Sequence, residues 1–208
     1  MADYTFYTNP MSRGQIARWA LHEAGANYDQ VIVDWKEKPA GFLDINPMGK
    51  VPTLVHHAAE GDRVVTEAAA ICLYLAEMHP EAGLLPSDAE KADYFRWTFF
   101  ASGPVEQAIT SRHFKSEPAP EQEMMAGWGS FDRTMNALEK HLEGRDWACG
   151  SRFTMADVYV GSAVDWGLTF GTMPPRPAFV AYAERLQARD AYKAAKAVDN
   201  TLIAEMKK

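Results

Sequence analysis

The sequence predicts an α+β domain of order βαβ-ββα followed by an all-α domain. Over residues 1–80, short aromatic and β-branched runs alternate with amphipathic stretches. Between about 80 and 88 the run HPEAGLLPSD, with its prolines and glycine, interrupts every pattern. Beyond 88 only helical periodicity remains. We therefore expect domains at 1–80 and 88–208 joined by a linker at 81–87. A chain of 208 residues, 47% of them hydrophobic and 24% charged, is long and apolar enough to bury such cores.

Each element has its own signal. Tyr4-Thr5-Phe6-Tyr7-Thr8 favours a strand, and Asn9-Pro10 breaks it. Residues 12–24 put Ile16, Ala17, Ala20, Leu21 and Ala24 on one helical face, with Gly25 where the closing left-handed residue belongs. Residues 28–33 read as a second strand, and two strands flanking such a helix suggest a parallel βαβ unit. Residues 39–49 are irregular or briefly helical, and 51–55 form a third strand that opens on Pro52. Gly61-Asp62 turns the chain into a short strand at Val64-Val65, and a helix runs from Thr66-Glu67 to about Met78. Further helices are expected at 88–113, 121–142, 154–170, 177–188 and 190–205, with a loop at 115–120. Thr154-Met155-Ala156-Asp157 has the form of a capping box.

Composition excludes several functions. The net charge of −7 is spread evenly, −4 over residues 1–80 and −3 over the rest, with no run of Lys/Arg to track a phosphate backbone. No nucleic-acid partner is expected. No apolar run approaches a membrane span, and the first residues lack the basic and apolar regions of a signal peptide. We expect a cytoplasmic protein with no membrane partner. Cys72 and Cys149 form neither a CxxC pair nor a zinc-ligand spacing, so neither a dithiol centre nor a metal is expected.

Three short segments carry candidate chemistry, and each also has a structural reading. Ser12, with Gln15 three residues on, reads as a capping box. Its hydroxyl has one donor and two acceptor lone pairs, so it can cap a helix and still donate to an anion. In Asn46-Pro47-Met48-Gly49-Lys50-Val51-Pro52-Thr53-Leu54, a cis Val51–Pro52 bond would turn the Val51 backbone outward, ready to pair with an extended peptide. A plain Pro-Gly turn is the alternative. Thr66-Glu67-Ala68 opens a helix whose N–H groups suit a carboxylate, while Glu67 suits an ammonium or simply complements the dipole.

Taken together, NPMGKVPTL, TEAAAICLYLAE and FTMADVYV resemble the cytosolic glutathione S-transferase family over essentially the whole chain. The resemblance implies a thioredoxin-like first domain that binds glutathione as co-substrate. It also implies a helical second domain that contributes an apolar co-substrate site, and a homodimer. Ser12 matches the catalytic Ser or Cys of the theta-, zeta- and beta-like, serine/cysteine-type branches. Tyr7 is its rival, although tyrosine-type classes place their tyrosine two residues before the loop proline, where this chain has Thr8. Val51 matches the residue that pairs with the cysteinyl unit, Pro52 the cis-proline, and Glu67 and Ala68 the pair that holds the γ-glutamyl end. Lys38 and Lys50 are the basic candidates beside them. The usual serine after the glutamate is Ala68 here, and Arg13 follows Ser12, unlike the commonest serine-type motifs.

The implied activity is conjugation of the glutathione thiolate to a small apolar electrophile, in the manner of detoxification. A glutathione-dependent peroxidase, isomerase or dehalogenase, or a non-catalytic binding protein on the same fold, are the alternatives. Lowering a thiol pKa from about 8.5 by two units needs roughly 2.7 kcal/mol. One hydrogen bond to the anion supplies about 1.5–3 kcal/mol and a helix N-terminus about 0.3–1. Ser12 therefore suffices without a general base. The electrophile candidates are Met11, Phe99, Phe100, Trp166 and Phe170, with Gln107 and Arg112 as polar options; the aromatics read equally as helical core.

Overall fold

The computed structural model describes residues 2–207. The chain forms two compact units, one of residues 1–85 with 189–208 and one of residues 86–188. The expectation of a helical domain running to 208 is thereby corrected: the last helix groups with the first unit.

The first unit is built on four strands: β1 (Tyr4–Thr8), β2 (Tyr28–Ile32), β3 (Thr53–Ala58) and β4 (Gly61–Thr66), in the order β2-β1-β3-β4. β1 pairs parallel with β2, as a crossover through helix α1 (Gly14–Ala24) requires, and antiparallel with β3, which pairs antiparallel with β4. Along β1, Tyr4, Phe6 and Thr8 are buried while Thr5 and Tyr7 alternate to the opposite face. Helix α1 buries Ile16, Ala17, Ala20 and Leu21 and packs against helix α3 (Ala68–Met78), which buries Ile71, Cys72 and Leu75. Gly25 ends α1 with φ 64°, as its position predicted. The stretch at 39–49 holds one short helix, α2 (Phe42–Ile45). The third strand starts at Thr53, so Val51 and Pro52 precede it rather than opening it.

Helix α9 (Asp190–Met206) belongs here because its polar side chains close on α1. Arg18 Nε donates to Asp199 Oδ1 at 2.8 Å with both side chains buried. Arg189, just before the helix, grips Glu23 through two hydrogen bonds of 2.6 Å, and Lys196 donates to Gln15 at 2.8 Å. None of these partners has a periodicity that assigns a helix to a domain.

The second unit is built of helices, with one isolated antiparallel bridge between Trp147 and Gly150 among the described residues. The predicted helix at 88–113 is realised as α4 (Lys91–Phe100), a π-helical turn at Ala101–Val105 and α5 (Glu106–His113). Pro104 lies inside the π turn, where its missing N–H removes one rung of the ladder. The helix expected from 121 begins ten residues later, as α6 (Phe131–Leu142); before it stand a 3-10 turn at Pro120–Gln122 and turns ending on Gly129, φ 70°. Helices α7 (Met155–Thr169) and α8 (Pro177–Gln187) complete the unit.

The capping box at 154–157 is present and extends further than the motif implied. Asp157 accepts from Thr154 N at 2.8 Å, Ala148 N at 2.6 Å and Tyr182 Oη at 2.6 Å, all buried. One carboxylate thus joins α7, α8 and the loop before α7. Among the described residues, no helix is long and apolar enough to cross a membrane.

Candidate functional site

The loop between β1 and α1 is organised by side chains whose role the sequence does not display. Asn9 is buried; its amide donates to Val33 O at 3.0 Å, and its Oδ1 accepts from Met11 N at 2.9 Å. This Asx turn presents Met11 to solvent and places Ser12, half-buried, at the entrance to α1. Ser12 Oγ accepts from Gly14 N at 2.9 Å and donates to Asn9 O at 2.6 Å. The expected Ser12–Gln15 capping box does not form. Gln15 turns its amide to Pro10 O, and Arg13 occupies the N-cap position without a side-chain cap.

Gly14 is a close-approach glycine. An ideal Cβ there would collide with Thr8 Oγ1 and lie 3.2 Å from Asn9 O, so the loop can fold against the helix only without a side chain. Thr8 is buried with its hydroxyl unpaired beneath this turn. Tyr7, one residue earlier, points to the other face of the sheet, where its ring stacks on Phe42 with centroids 5.1 Å apart. Strand alternation therefore turns Tyr7 away from Thr8, which stands where tyrosine-type classes place their tyrosine.

The second loop runs from Asn46 to Thr53. The Val51–Pro52 bond is cis, as the segment predicted. Asn46, buried, donates to Lys50 O at 2.9 Å and to Thr53 Oγ1 at 2.9 Å, and Thr53 Oγ1 donates to Lys50 O at 3.0 Å. This network holds the turn from inside. Val51 is half-buried, and neither its N–H nor its C=O has a protein partner among the described residues. Gly49 sits at φ 60° and lets the Lys38 stem pass: an ideal Cβ on it would lie 3.0 Å from Lys38 Cε. The structure thus gives Lys38 the place beside the turn that sequence alone did not fix. The Lys38 and Lys50 side chains are exposed.

The third segment contains a strained residue. Glu67 adopts φ 65°, ψ 119°, a region that non-glycine residues rarely occupy. It is exposed, makes no side-chain cap, and lends its carbonyl to Ile71 N at 2.9 Å. Strain of this kind concentrates at ligand sites because something other than local preference selects it. The helix begins at Ala68, after the Thr66-Glu67 pair expected to open it, and Ala68 is buried.

In the helical unit the expected aromatics are less buried than a core reading requires. Phe99 is 60% exposed and Phe170 70% exposed. Trp166 and Phe100 are half-buried, with Trp166 edge-on to Phe170 at 6.1 Å. Gln107 is exposed on α5, and Arg112, in its last turn, pairs with Glu117 at 3.0 Å. Thiol chemistry by the protein itself has little support: burial pushes the Cys72 thiol up strongly and the Cys149 thiol to about 12.

Comparison with known proteins agrees with this architecture. The profile of the glutathione S-transferase N-terminal domain matches residues 2–77, and that of the glutathione S-transferase C-terminal domain matches residues 104–190. Glutathione S-transferase Z2 of Arabidopsis thaliana is 30% identical over 156 residues, covering 71% of this chain and 68% of its own. A solved glutathione transferase from Methylococcus capsulatus superposes with TM-score 0.76 at 30% identity, covering 95% of this chain and 99% of that one. A sphingomonad glutathione S-transferase, solved in complex with glutathione, gives TM-score 0.73 at 29% identity over 94% of this chain and 98% of its own. With the four-stranded mixed sheet, the cis-proline turn and the helical second unit in place, the chain belongs to the glutathione S-transferase family of enzymes.

Proposed function

We propose that the protein transfers the thiolate of glutathione to a small apolar electrophile, with Ser12 stabilising the thiolate in the manner of the serine-type branch. The observation that carries this reading is the hydrogen bonding of Ser12. Its Oγ already receives the Gly14 N–H, which polarises the hydroxyl, and its proton lies on a neutral carbonyl, Asn9 O. Rotation about Cβ–Oγ exchanges that neutral acceptor for a thiolate, and hydrogen bonds to ionised acceptors are roughly twice as strong. The hydroxyl donates and does not attack; the nucleophile is the glutathione sulfur.

The remaining contacts follow from the loops. Val51 offers an unpaired N–H and C=O to the cysteinyl backbone, as an added strand would. Glu67 takes the γ-glutamyl ammonium, and the first turn of α3, from Ala68 onward, takes the adjoining carboxylate. Lys38 and Lys50 serve the glycyl carboxylate. On the electrophile side, Met11 is the candidate of the first unit. Phe99 and Trp166 are the apolar candidates of the helical unit, with Gln107 and Arg112 as polar ones. A cytoplasmic homodimer completes the reading. Tyr7 is the weaker catalytic candidate because its ring is committed to Phe42.

The test is the absorbance of thiolate in the glutathione complex as pH is varied. Ser12→Ala raises the pKa of bound glutathione by one to two units, about 1.4–2.7 kcal/mol, and lowers turnover at neutral pH about 10- to 100-fold. An unchanged titration transfers the role to Tyr7 or to the backbone.

A further inference from the structure

We infer that Lys196 and Gln15 are positioning residues for the thiolate site: Lys196 of α9 acts through the Gln15 side chain to fix the peptide that leads into Ser12. This role rests on the one proposed for Ser12. It brings in a residue from near the other end of the sequence, outside the three loops that offer groups to glutathione.

The Gln15 amide is engaged at both ends. Lys196 Nζ donates to its Oε1 at 2.8 Å, and its Nε2 donates to Pro10 O. An ammonium on the oxygen polarises the amide, so its N–H bonds the Pro10 carbonyl more strongly. Gln15 therefore does not cap Ser12 but braces the carbonyl two residues before it. The N–H of the same peptide, that of Met11, is held by Asn9 Oδ1 at 2.9 Å. A peptide fixed at both its carbonyl and its N–H cannot rotate without breaking a hydrogen bond. Ser12 follows directly, with Oγ on Gly14 N and Asn9 O. Hydrogen bonds weaken steeply as they bend, so a small rotation of the Pro10–Met11 peptide misdirects the hydroxyl.

Lys196 is itself held in place. It is half-buried, whereas Lys193, one turn earlier, is exposed. Its Nζ lies 5.4 Å over the Tyr192 ring, and that ring packs edge-on to Trp19 of α1 at 5.1 Å. Asp199, buried three residues on, attracts the ammonium while it pairs with Arg18. Docking of α9 has other ties: Arg18 to Asp199, and Arg189 to Glu23 in the last turn of α1. The bond from Lys196 reaches instead the first turn of α1 and, through it, the loop before Ser12. A contact that served docking alone would not need the second hydrogen bond from Gln15 to Pro10.

The experiment follows thiolate absorbance of the glutathione complex against pH, with Tm measured on the same samples. Lys196→Met and Gln15→Leu are each expected to raise the pKa of bound glutathione by about 0.5. Turnover at neutral pH then falls about threefold and recovers at higher pH, where the thiol ionises in either form. Lys196→Arg keeps a charged donor and restores the wild-type titration. Gln15→Leu leaves Lys196 beside Asp199, so it tests the relay without disturbing that ion pair. Arg189→Gln loosens α9 at the other end of α1; it lowers Tm and leaves the titration unchanged. Adding Lys196→Met to Ser12→Ala raises the pKa no further. An unshifted titration in either Lys196→Met or Gln15→Leu, with Ser12→Ala shifted, overturns the relay and leaves Ser12 its role. An unshifted Ser12→Ala overturns the role of Ser12 and the relay with it. A shift in Arg189→Gln as large as in Lys196→Met also overturns the relay, because general loosening of α9 would then be the cause.

Discussion

The two units bring their chemistry together by different routes. In the first unit, every proposed contact except that of Lys38 comes from a short continuous segment: Asn9 to Gly14, Asn46 to Thr53, and Glu67 with Ala68. Val51 and the first turn of α3 offer backbone groups, and small polar side chains such as Asn9 and Asn46 brace the loops from behind. In the helical unit, by contrast, a cavity is lined from α5, α6, the end of α7 and the chain before α8, from Ile109 to Arg176, and largely by side chains. Backbone offered by a braced turn has its geometry set by local sequence. Side chains gathered from three helices have theirs set by packing. The proposed glutathione contacts therefore read as a motif, and the lining of a helical-unit cavity does not.

The polar anchors of the two units differ in the same sense, and substitution separates them. Asp157 is buried and accepts three strong hydrogen bonds from three parts of the helical unit. Asp157→Ala strands all of those donors at once and is expected to cost about 3–5 kcal/mol, a large share of the stability of an ordinary domain. Thermal unfolding should show it as a large drop in Tm, with Tyr182→Phe giving a smaller one. If Asp157→Ala instead weakens glutathione binding while leaving Tm unchanged, the anchor is functional and the contrast fails.

Glu67 sharpens the contrast from the other side, because its conformation is unfavourable by itself. Glycine tolerates φ 65°, so Glu67→Gly relieves strain of order 1–3 kcal/mol and loses roughly 1 through the freer unfolded chain. The folded protein should be equally or slightly more stable. Glutathione affinity should fall about tenfold, as expected for a lost charge-assisted contact. A variant that is less stable and binds glutathione as before would mean that Glu67 serves the fold alone.

Ala68→Ser adds a donor in the first turn of α3, at a site already buried. Glutathione binding should tighten by up to about tenfold, or 1.4 kcal/mol. Turnover at saturation should change little, because the contact lies away from the sulfur and acts equally on ground and transition states. Unchanged affinity would show that the helix N–H groups alone satisfy the carboxylate.

These contrasts also explain what could be read in advance. The element order βαβ-ββα, the cis turn, Gly25 and the Thr154–Asp157 cap each depend on neighbours within a few residues, and the sequence displays them. Asn9 and Gly14 escape notice because their signals are common ones: an Asn-Pro break, and a glycine two residues past a candidate cap. Their meaning depends on Val33 and Thr8, which only the folded chain brings near. The assignment of α9 rests on Arg18–Asp199, separated by 181 residues. The late start of α6 has a local cause: glycines at 127 and 129, the latter at φ 70°, break the pattern before Phe131, and Met124 and Met125 are left exposed.

The smallest effect concerns pH and falls on the helical unit through His141. Its Nε2 donates to Ala148 O at 2.7 Å, and its ring stacks on Trp97 with centroids 3.8 Å apart. Burial lowers its pKa below the usual 6.5, and Arg145 and Arg96 lower it further, against opposing contributions from Ala148 O and Asp93. A histidine whose folded pKa is lowered binds its proton more weakly folded than unfolded. Its contribution is therefore fully favourable above pH 6.5 and is lost as pH falls below that value toward the folded pKa. His22, lowered chiefly by burial and by Arg18, acts in the same direction in the first unit. The buried carboxyls Asp157 and Asp199 are raised by burial and act in the opposite sense, so the wild-type curve alone does not isolate the histidine. The comparison with His141→Gln does, because glutamine keeps an N–H donor for Ala148 O and cannot titrate. Between pH 7 and pH 5, Tm of the wild type should fall more steeply than that of His141→Gln, by a few degrees at most. His22→Gln tests the first unit in the same way. Parallel curves for wild type and His141→Gln would mean that the ring keeps its ordinary pKa despite its burial.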